Sequence, residues 1–456
     1  MPSRPSVRWS PDAGPLAMTP ATAVDHGVTA APSAGSAVPF HDHSGPAARR
    51  EALTCVVPLV VVIVAAVLLQ RFAVPALGSL LGIGFVISLV VTFWGALRGV
   101  LVIEPTRFAL FSLMMAALLL CLALAGRSFS MLSLFMFCLL YVPFILVMPI
   151  SQIGYRRVLL AFQTVSIIVA VSAIVQFAAQ FAVGSRWMFP FDNLLPAAFF
   201  IPQFNLVIEM GSGMVKSTGL WLLEPSHLSQ LMAVAIIVEA RWFGRPHVLA
   251  LLGAGLLLAF SGTGMLLLAL FLPMILITRG GIPWLVLLAV LGIGVVWLFA
   301  DVFPISFFVD RLGEFGNRQA SGSMRFFGPF WAIEDIFAGR PDLILTGVGP
   351  GGMAETTQSF DYAVQDSSWF KLLVEYGIVG GLPFAVFYGY CLLAGSPDRL
   401  LAAAFLFMVL FLGGFLLAYY VQFLILALIV WPRPAPSAST SPAHSTTIGT
   451  THARRC

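Results

Sequence analysis

Apolar runs of about 17 to 25 residues recur along this chain of 456 residues, and each is long enough to take a helix across roughly 30 Å of hydrocarbon. Hydrocarbon offers no hydrogen bonds, so the backbone must satisfy itself, which leaves helices or closed barrels. Barrel strands would alternate apolar and polar residues over segments of about ten, and that pattern is absent. The chain is 59% hydrophobic and only 10% charged, far from the balance of a soluble domain. The expected fold is all-α: a polytopic membrane protein.

Twelve spans are expected, at about 52–70, 72–94, 107–125, 129–150, 158–182, 219–240, 247–261, 264–278, 282–300, 369–393, 399–412 and 415–431. Residues 399–431 have only Gly413-Gly414 as a break and read equally as one long helix. The ends, 1–50 and 432–456, are rich in Pro, Ala, Ser, Gly and Thr and read as disordered tails. Between them, 51–300 holds spans one to nine with an aromatic interfacial loop at 183–217, 301–367 is a large polar loop, and 368–431 holds spans ten to twelve. Four of the five cysteines lie inside apolar spans without metal-ligand spacing, as small core residues do.

Orientation follows from the basic residues of the short connections. One side collects Arg49, Arg50, Arg98, Arg107, Arg156, Arg157, Arg241, Arg245, Arg279, Arg399 and Arg433; the other has Arg71 and Arg127. Eleven against two places both termini in the cytoplasm and the 301–367 loop outside.

That loop is the expected seat of chemistry. It carries four arginines, Arg311, Arg318, Arg325 and Arg340, against nine acids, a formal charge of 4 − 9 = −5. Any anion must therefore be held by placement, for which the planar, always charged guanidinium is suited. The alternative is that these arginines pair with the loop's own acids. Arg325 is expected to open an interfacial helix, Met324 to Ala338, with Phe326, Phe327, Phe330, Ile333 and Phe337 as its apolar stripe. Gly347-Val-Gly-Pro-Gly-Gly352 lacks the Lys-Ser/Thr of a nucleotide-binding loop and reads as a tight turn.

Three further segments stand out. Lys216-Ser-Thr-Gly-Leu-Trp-Leu-Leu-Glu224-Pro225 leads into the sixth span. A carboxylate at a membrane boundary is costly unless paired or wetted, which singles out Glu224, with a salt bridge to Lys216 as the plainer role. His227 reads as a packing residue. Ser261-Gly-Thr-Gly264 is a turn between short helices. Past the loop, Lys371 and Glu375 share a helical face as a mutual pair, while Asp366 either caps that helix or does chemistry.

In this order, the Lys216-Ser-Thr-Gly219…Glu224-Pro225 approach, the Ser261–Gly264 turn, and the outer loop with Arg325, Trp331 and Gly347-Val-Gly349 ahead of Glu375-Tyr-Gly-Ile-Val-Gly380 resemble the O-antigen ligase and Wzy-type polysaccharide polymerase superfamily. The resemblance spans roughly residues 200 to 385. It implies glycan transfer from an undecaprenyl-diphosphate carrier on the periplasmic face of the bacterial inner membrane, beside a flippase and a chain-length regulator. The chain departs from the ligase pattern in having Lys216 for Arg and Asp366-Ser367 for His-Asn, and its loop contains no histidine. An exopolysaccharide or O-antigen polymerase is therefore the expectation, with a ligase as the alternative.

The implied chemistry needs cations on the leaving diphosphate and a base at the attacking hydroxyl. Arg325, Lys216, Arg311 and Arg318 are the candidate cations; Asp366 and Glu224 are the candidate bases. Trp187, Trp331 and Trp369 are candidate sugar-stacking rings. No metal, cofactor or nucleic acid is called for. A transporter or flippase shares the helix count, but its charges would sit near the midplane of repeated halves. A non-catalytic subunit of a glycan export system is the third class.

Overall fold

The computed structural model describes residues 51–74, 82–125, 130–184, 215–278, 321–360, 362 and 364–434, with scattered positions between 188 and 206. The expected N-terminal tail 1–50, residues 435–456 of the C-terminal one, the span at 282–300, Arg311, Arg318 and Trp187 lie outside the described residues, while Pro432–Pro434, expected in the disordered tail, form a strand paired with Met148–Ile150.

The described chain is mostly helical. After a π turn at Ala52–Val56 come α1 (Val57–Leu68), α2 (Ile83–Leu97), β1 (Val102–Ile103), α3 (Pro105–Ala125), α4 (Met131–Tyr141), β2 (Leu146–Ile150) and α5 (Gln152–Val183). Then follow α6 (Pro225–Val238, running into a π turn at Glu239–Phe243), α7 (Pro246–Leu258) and α8 (Gly262–Thr278). The outer-loop segment forms α9 (Ser321–Phe326), α10 (Gly328–Phe337), α11 (Asp342–Thr346) and α12 (Gly352–Thr357). Last are α13 (Ser368–Leu393), α14 (Arg399–Phe411), α15 (Tyr419–Ile425, with a π turn at Leu426–Val430) and β3 (Pro432–Pro434).

Helix starts follow local chemistry. Ser130, Ser151 and Asp398 cap α4, α5 and α14 by accepting from backbone N–H groups of the first turn. Pro58, Pro225, Pro246 and Pro329 occupy first turns, where the missing N–H costs nothing.

Three described helices are long and apolar enough to cross a membrane: Pro105–Leu124, Gln152–Val183 and Ser368–Leu393. Phe93, Leu97, Leu113, Ile153 and Phe181 are each at least 60% exposed, an apolar surface that a water-soluble fold rarely shows and that lipid covers. Several expected spans are shorter than their apolar runs. The 129–150 run stays helical only to Ile145 and then extends as β2, which pairs antiparallel with β1 and parallel with β3. In the 72–94 run, Phe72 and Ala73 are extended and bridge to Phe200 and Gly82, and α2 starts at Ile83. Residues 399–431 are two helices, separated at Leu412–Ala418.

Contacts sort the helix ends into two groups. At one, Arg107 is buried and donates to the carbonyls of Phe144, Leu146, Val430 and Cys391, Glu51 accepts from Ser151, and Arg241 pairs with Asp398. We call it the arginine end. At the other, Arg71 donates to Leu220 O, Ser130 N donates to Pro350 O and Ser368 bonds Gly413. This loop end carries the α9–α12 segment.

Candidate functional site

At the loop end, the segment leading into α6 forms an extended strap. Ser217 Oγ and Thr218 N donate to Gln176 Oε1 of α5 at 2.7 and 2.9 Å, and Gln203 Nε2 donates to Leu222 O at 2.8 Å. Leu220 is held at φ 68°, a conformation costly for a branched side chain, and its carbonyl accepts from buried Arg71. Tethers at both flanks thus deliver Glu224 to the position just before α6, where Pro225 starts the helix and the Glu224 side chain makes no capping bond.

The Glu224 carboxylate instead lies 3.7 Å from His227 Nε2, one turn along α6. His227 Nε2 also meets Tyr420 Oη at 3.2 Å, and its Nδ1 meets Gln70 Nε2 at 3.3 Å. An amide nitrogen only donates, so Nδ1 accepts and Nε2 carries the proton toward Tyr420 and Glu224. His227 Nε2 thus faces both Tyr420 and Glu224. Both ring nitrogens of this buried histidine have polar partners, as a satisfied packing residue requires.

Arg325 is close enough to act electrostatically on His227, and Tyr420 feels both Glu224 and Asp366. Arg325 Nε donates to Gln365 Oε1 at 2.6 Å, and Gln365 N donates to Met324 O at 3.1 Å, so the residue beside Asp366 is tied to α9. The expected helix Met324 to Ala338 is a correction: it is broken at Phe327 into α9 and α10, and Arg325 sits in the last turn of the first piece instead of opening the second. Pro329 drives the break, because a proline ring stacked on a continuing helix would collide with it. Ala332, Ile336 and Phe337 are buried under α10 while Phe327 and Phe330 are 44% and 60% exposed, so of the expected stripe Phe337 faces the core and Phe327 and Phe330 face away.

Asp366 does not cap α13. That position belongs to Ser367, which makes no side-chain cap bond. Asp366 is half-exposed, and its carboxylate is 3.8 Å from Lys371 Nζ. It rests against the Gly414 backbone, where a Cβ would come within 2.7 Å of Asp366 Oδ1. Ser368 grips the same break: Phe415 N donates to Ser368 Oγ at 3.0 Å.

The glycine-rich turn closes onto α13. That helix is interrupted at Gly377, φ 61°, which frees carbonyls in the turn before it. Val348 N and Gly349 N donate to Val374 O and Glu375 O at 2.8 and 2.9 Å. The chains approach so closely that no Cβ fits at Gly347 or Gly377. The loop thus returns to the membrane helix, as its sequence suggested. Lys371 and Glu375 pair as expected, at 3.8 Å.

Beneath this polar group is a cavity between α1, α6, α14 and α15, walled by Ala66, Leu231, Val234, Phe405 and Met408, with Gln70, His227, Gln230 and Tyr420 among its polar lining groups. At the loop end, then, Glu224 contacts His227, Arg325 contacts Gln365, and Asp366 contacts Lys371. Lys216 stands at the opposite end of the strap from Glu224, its backbone N–H donating to Leu206 O. Gln70 and Tyr420 join the group with little local signal, because their contacts with His227 cross 157 and 193 residues. Among the described residues, no group of three His, Cys, Asp or Glu side chains is arranged to hold a metal ion.

Comparison with protein-family models, with curated proteins and with solved structures finds no match to this chain.

Proposed function

We propose that this chain is a metal-independent glycosyltransferase of the bacterial inner membrane. It polymerises exopolysaccharide or O-antigen repeat units from an undecaprenyl-diphosphate carrier, as the resemblance to the O-antigen ligase and Wzy-type polymerase superfamily implies. The observation that carries the proposal is the placement of Arg325, Glu224 and Asp366 at the loop end, over an apolar cavity whose lining includes His227 and Tyr420. An amphiphilic donor has that same division, a charged diphosphate on an isoprenoid tail.

In the proposed topology, about twelve spans place both termini in the cytoplasm and the 301–367 loop in the periplasm. Arg325 holds the diphosphate, joined by Lys216 and by the loop's Arg311 and Arg318. The acceptor hydroxyl oxygen attacks the anomeric carbon, its bond to that carbon forming as the carbon–phosphate-oxygen bond breaks. The electron pair leaves with the diphosphate, neutralised by guanidinium. The hydroxyl proton passes to Asp366, the more accessible carboxylate, and the anomeric centre inverts. Glu224, paired with His227, is the second carboxylate of the site.

Deleting the gene and analysing the carrier-linked glycans tests this. Single repeat units stranded on the carrier support the polymerase. Long carrier-bound polymer indicates a ligase instead, and donor confined to the cytoplasmic leaflet indicates a flippase.

A further inference from the structure

We propose that Glu375 is a positioning residue: clamped by the glycine-rich loop, it holds Lys371 against Asp366 and so fixes the base of the transfer. The role deepens the glycosyltransferase proposal and rests on it.

Glu375 is 2% exposed, one turn beyond Lys371 on α13. Its backbone is tied to the glycine-rich loop: Gly349 N donates to Glu375 O at 2.9 Å, and Val348 N to Val374 O at 2.8 Å. Oε1 takes no hydrogen bond among the described residues and stands 3.8 Å from Lys371 Nζ. The ammonium is the same 3.8 Å from Asp366 Oδ2 on its other side. One cation is thus shared by a buried carboxylate that cannot move and an exposed one that can. A buried carboxylate is costly to keep unless it is paired, and a pair confined to structure would turn both partners inward. Here the ammonium is 21% exposed and reaches back to the mouth of the site. The charge of Glu375 therefore sets where Lys371 sits, and Lys371 sets where the Asp366 carboxylate points.

The test is a double-mutant cycle on purified protein in lipid vesicles, with carrier-linked repeat units extracted from the deletion strain as donor and acceptor. Glu375→Gln keeps the shape of the side chain and removes the charge. Its kcat falls on the order of ten- to a hundred-fold with KM unchanged, as displacement of a reacting group costs. Lys371→Met gives a similar loss, and the double variant is no worse than either single. Full kcat in Glu375→Gln, or losses that multiply in the double variant, overturn the role while leaving the transferase proposal standing. If Glu375→Gln does not accumulate, Glu375→Asp decides, since it keeps the charge but draws it back from Lys371; full kcat there overturns the role equally. Wild-type protein without transfer defeats the transferase proposal, and this role falls with it.

Discussion

Arg325 Nε donates to Gln365 Oε1 at 2.6 Å, binding the last turn of α9 to the residue before Asp366. The bond crosses 40 residues of chain and ties a cation to the residue that precedes Asp366 in sequence. A guanidinium held in this way has little orientation left to lose when it meets a phosphate, which is what preorganisation requires.

Arg325→Ala is expected to lower transfer by about a hundred-fold or more, the scale on which loss of one preorganised donor is felt, with protein levels unchanged. Gln365→Ala loses less, because the charge stays and only its tether goes. Rates of polymer formation in vesicles check both; full activity in Arg325→Ala removes the leading residue.

Asp366→Asn is expected to lower kcat by about a hundred-fold or more, the usual worth of a positioned base. Asp366 is half-exposed and lies outside the helix cap, so Asp366→Asn is expected to fold. Thermal unfolding in detergent should match wild type, and a variant that loses rate only through unfolding would remove the base.

Asp398→Ala is expected to destabilise the arginine end by roughly 2 kcal/mol. Its fully buried carboxylate accepts from Leu400 N, Leu401 N, Arg241 Nε and Trp242 Nε1, so the change uncaps α14 and strips two side chains of an acceptor. A lowered unfolding temperature with unchanged activity of the folded fraction is the expected pair of measurements. An unaltered temperature contradicts it.

Gly264→Val is expected to cost about 1–3 kcal/mol, as overpacking does. A Cβ at Gly264 would run into the Ser229 peptide where α8 crosses α6, and Gly264 N already donates to Ser229 Oγ at 2.8 Å. Thermal unfolding reads this out, and wild-type stability would show that the crossing opens freely.

Cysteine labelling tests the proposed topology. With the five native cysteines replaced, Phe330→Cys should react with an impermeant maleimide in intact spheroplasts, and Arg245→Cys only after permeabilisation. Reaction of both without permeabilisation contradicts the assignment of sides.

Much of the helical layout was legible because each helix has its own signal. Apolar runs located α3, α5 and α13, and Pro225 and Pro246 marked the starts of α6 and α7. Positions that break helix regularity were legible only in part. Gly413-Gly414 was visible as a weak point, but it became a true break because Ser368, 47 residues before Phe415, offers its hydroxyl to the exposed backbone. The α4 helix ends at Tyr141, just before Pro143, and a short 3-10 turn carries the chain to Ile145. Leu146–Ile150 is extended because β1 and β3 pair with it and Arg107 binds the neighbouring carbonyls.

The sequence by itself determined the solvent of this protein and the residue types available to a site: long apolar runs demand helices in hydrocarbon, and ionisable groups near their ends are too costly to be incidental. Only the tertiary structure decided which of them meet. Glu224 turns to His227, and Asp366 to Lys371 rather than to its own helix cap, because Gln70, Tyr420, Gln365 and Gly414 arrive from distant segments and define the space left over. Periodicity is a property of neighbours along the chain, whereas electrostatic partnership is a property of neighbours in space.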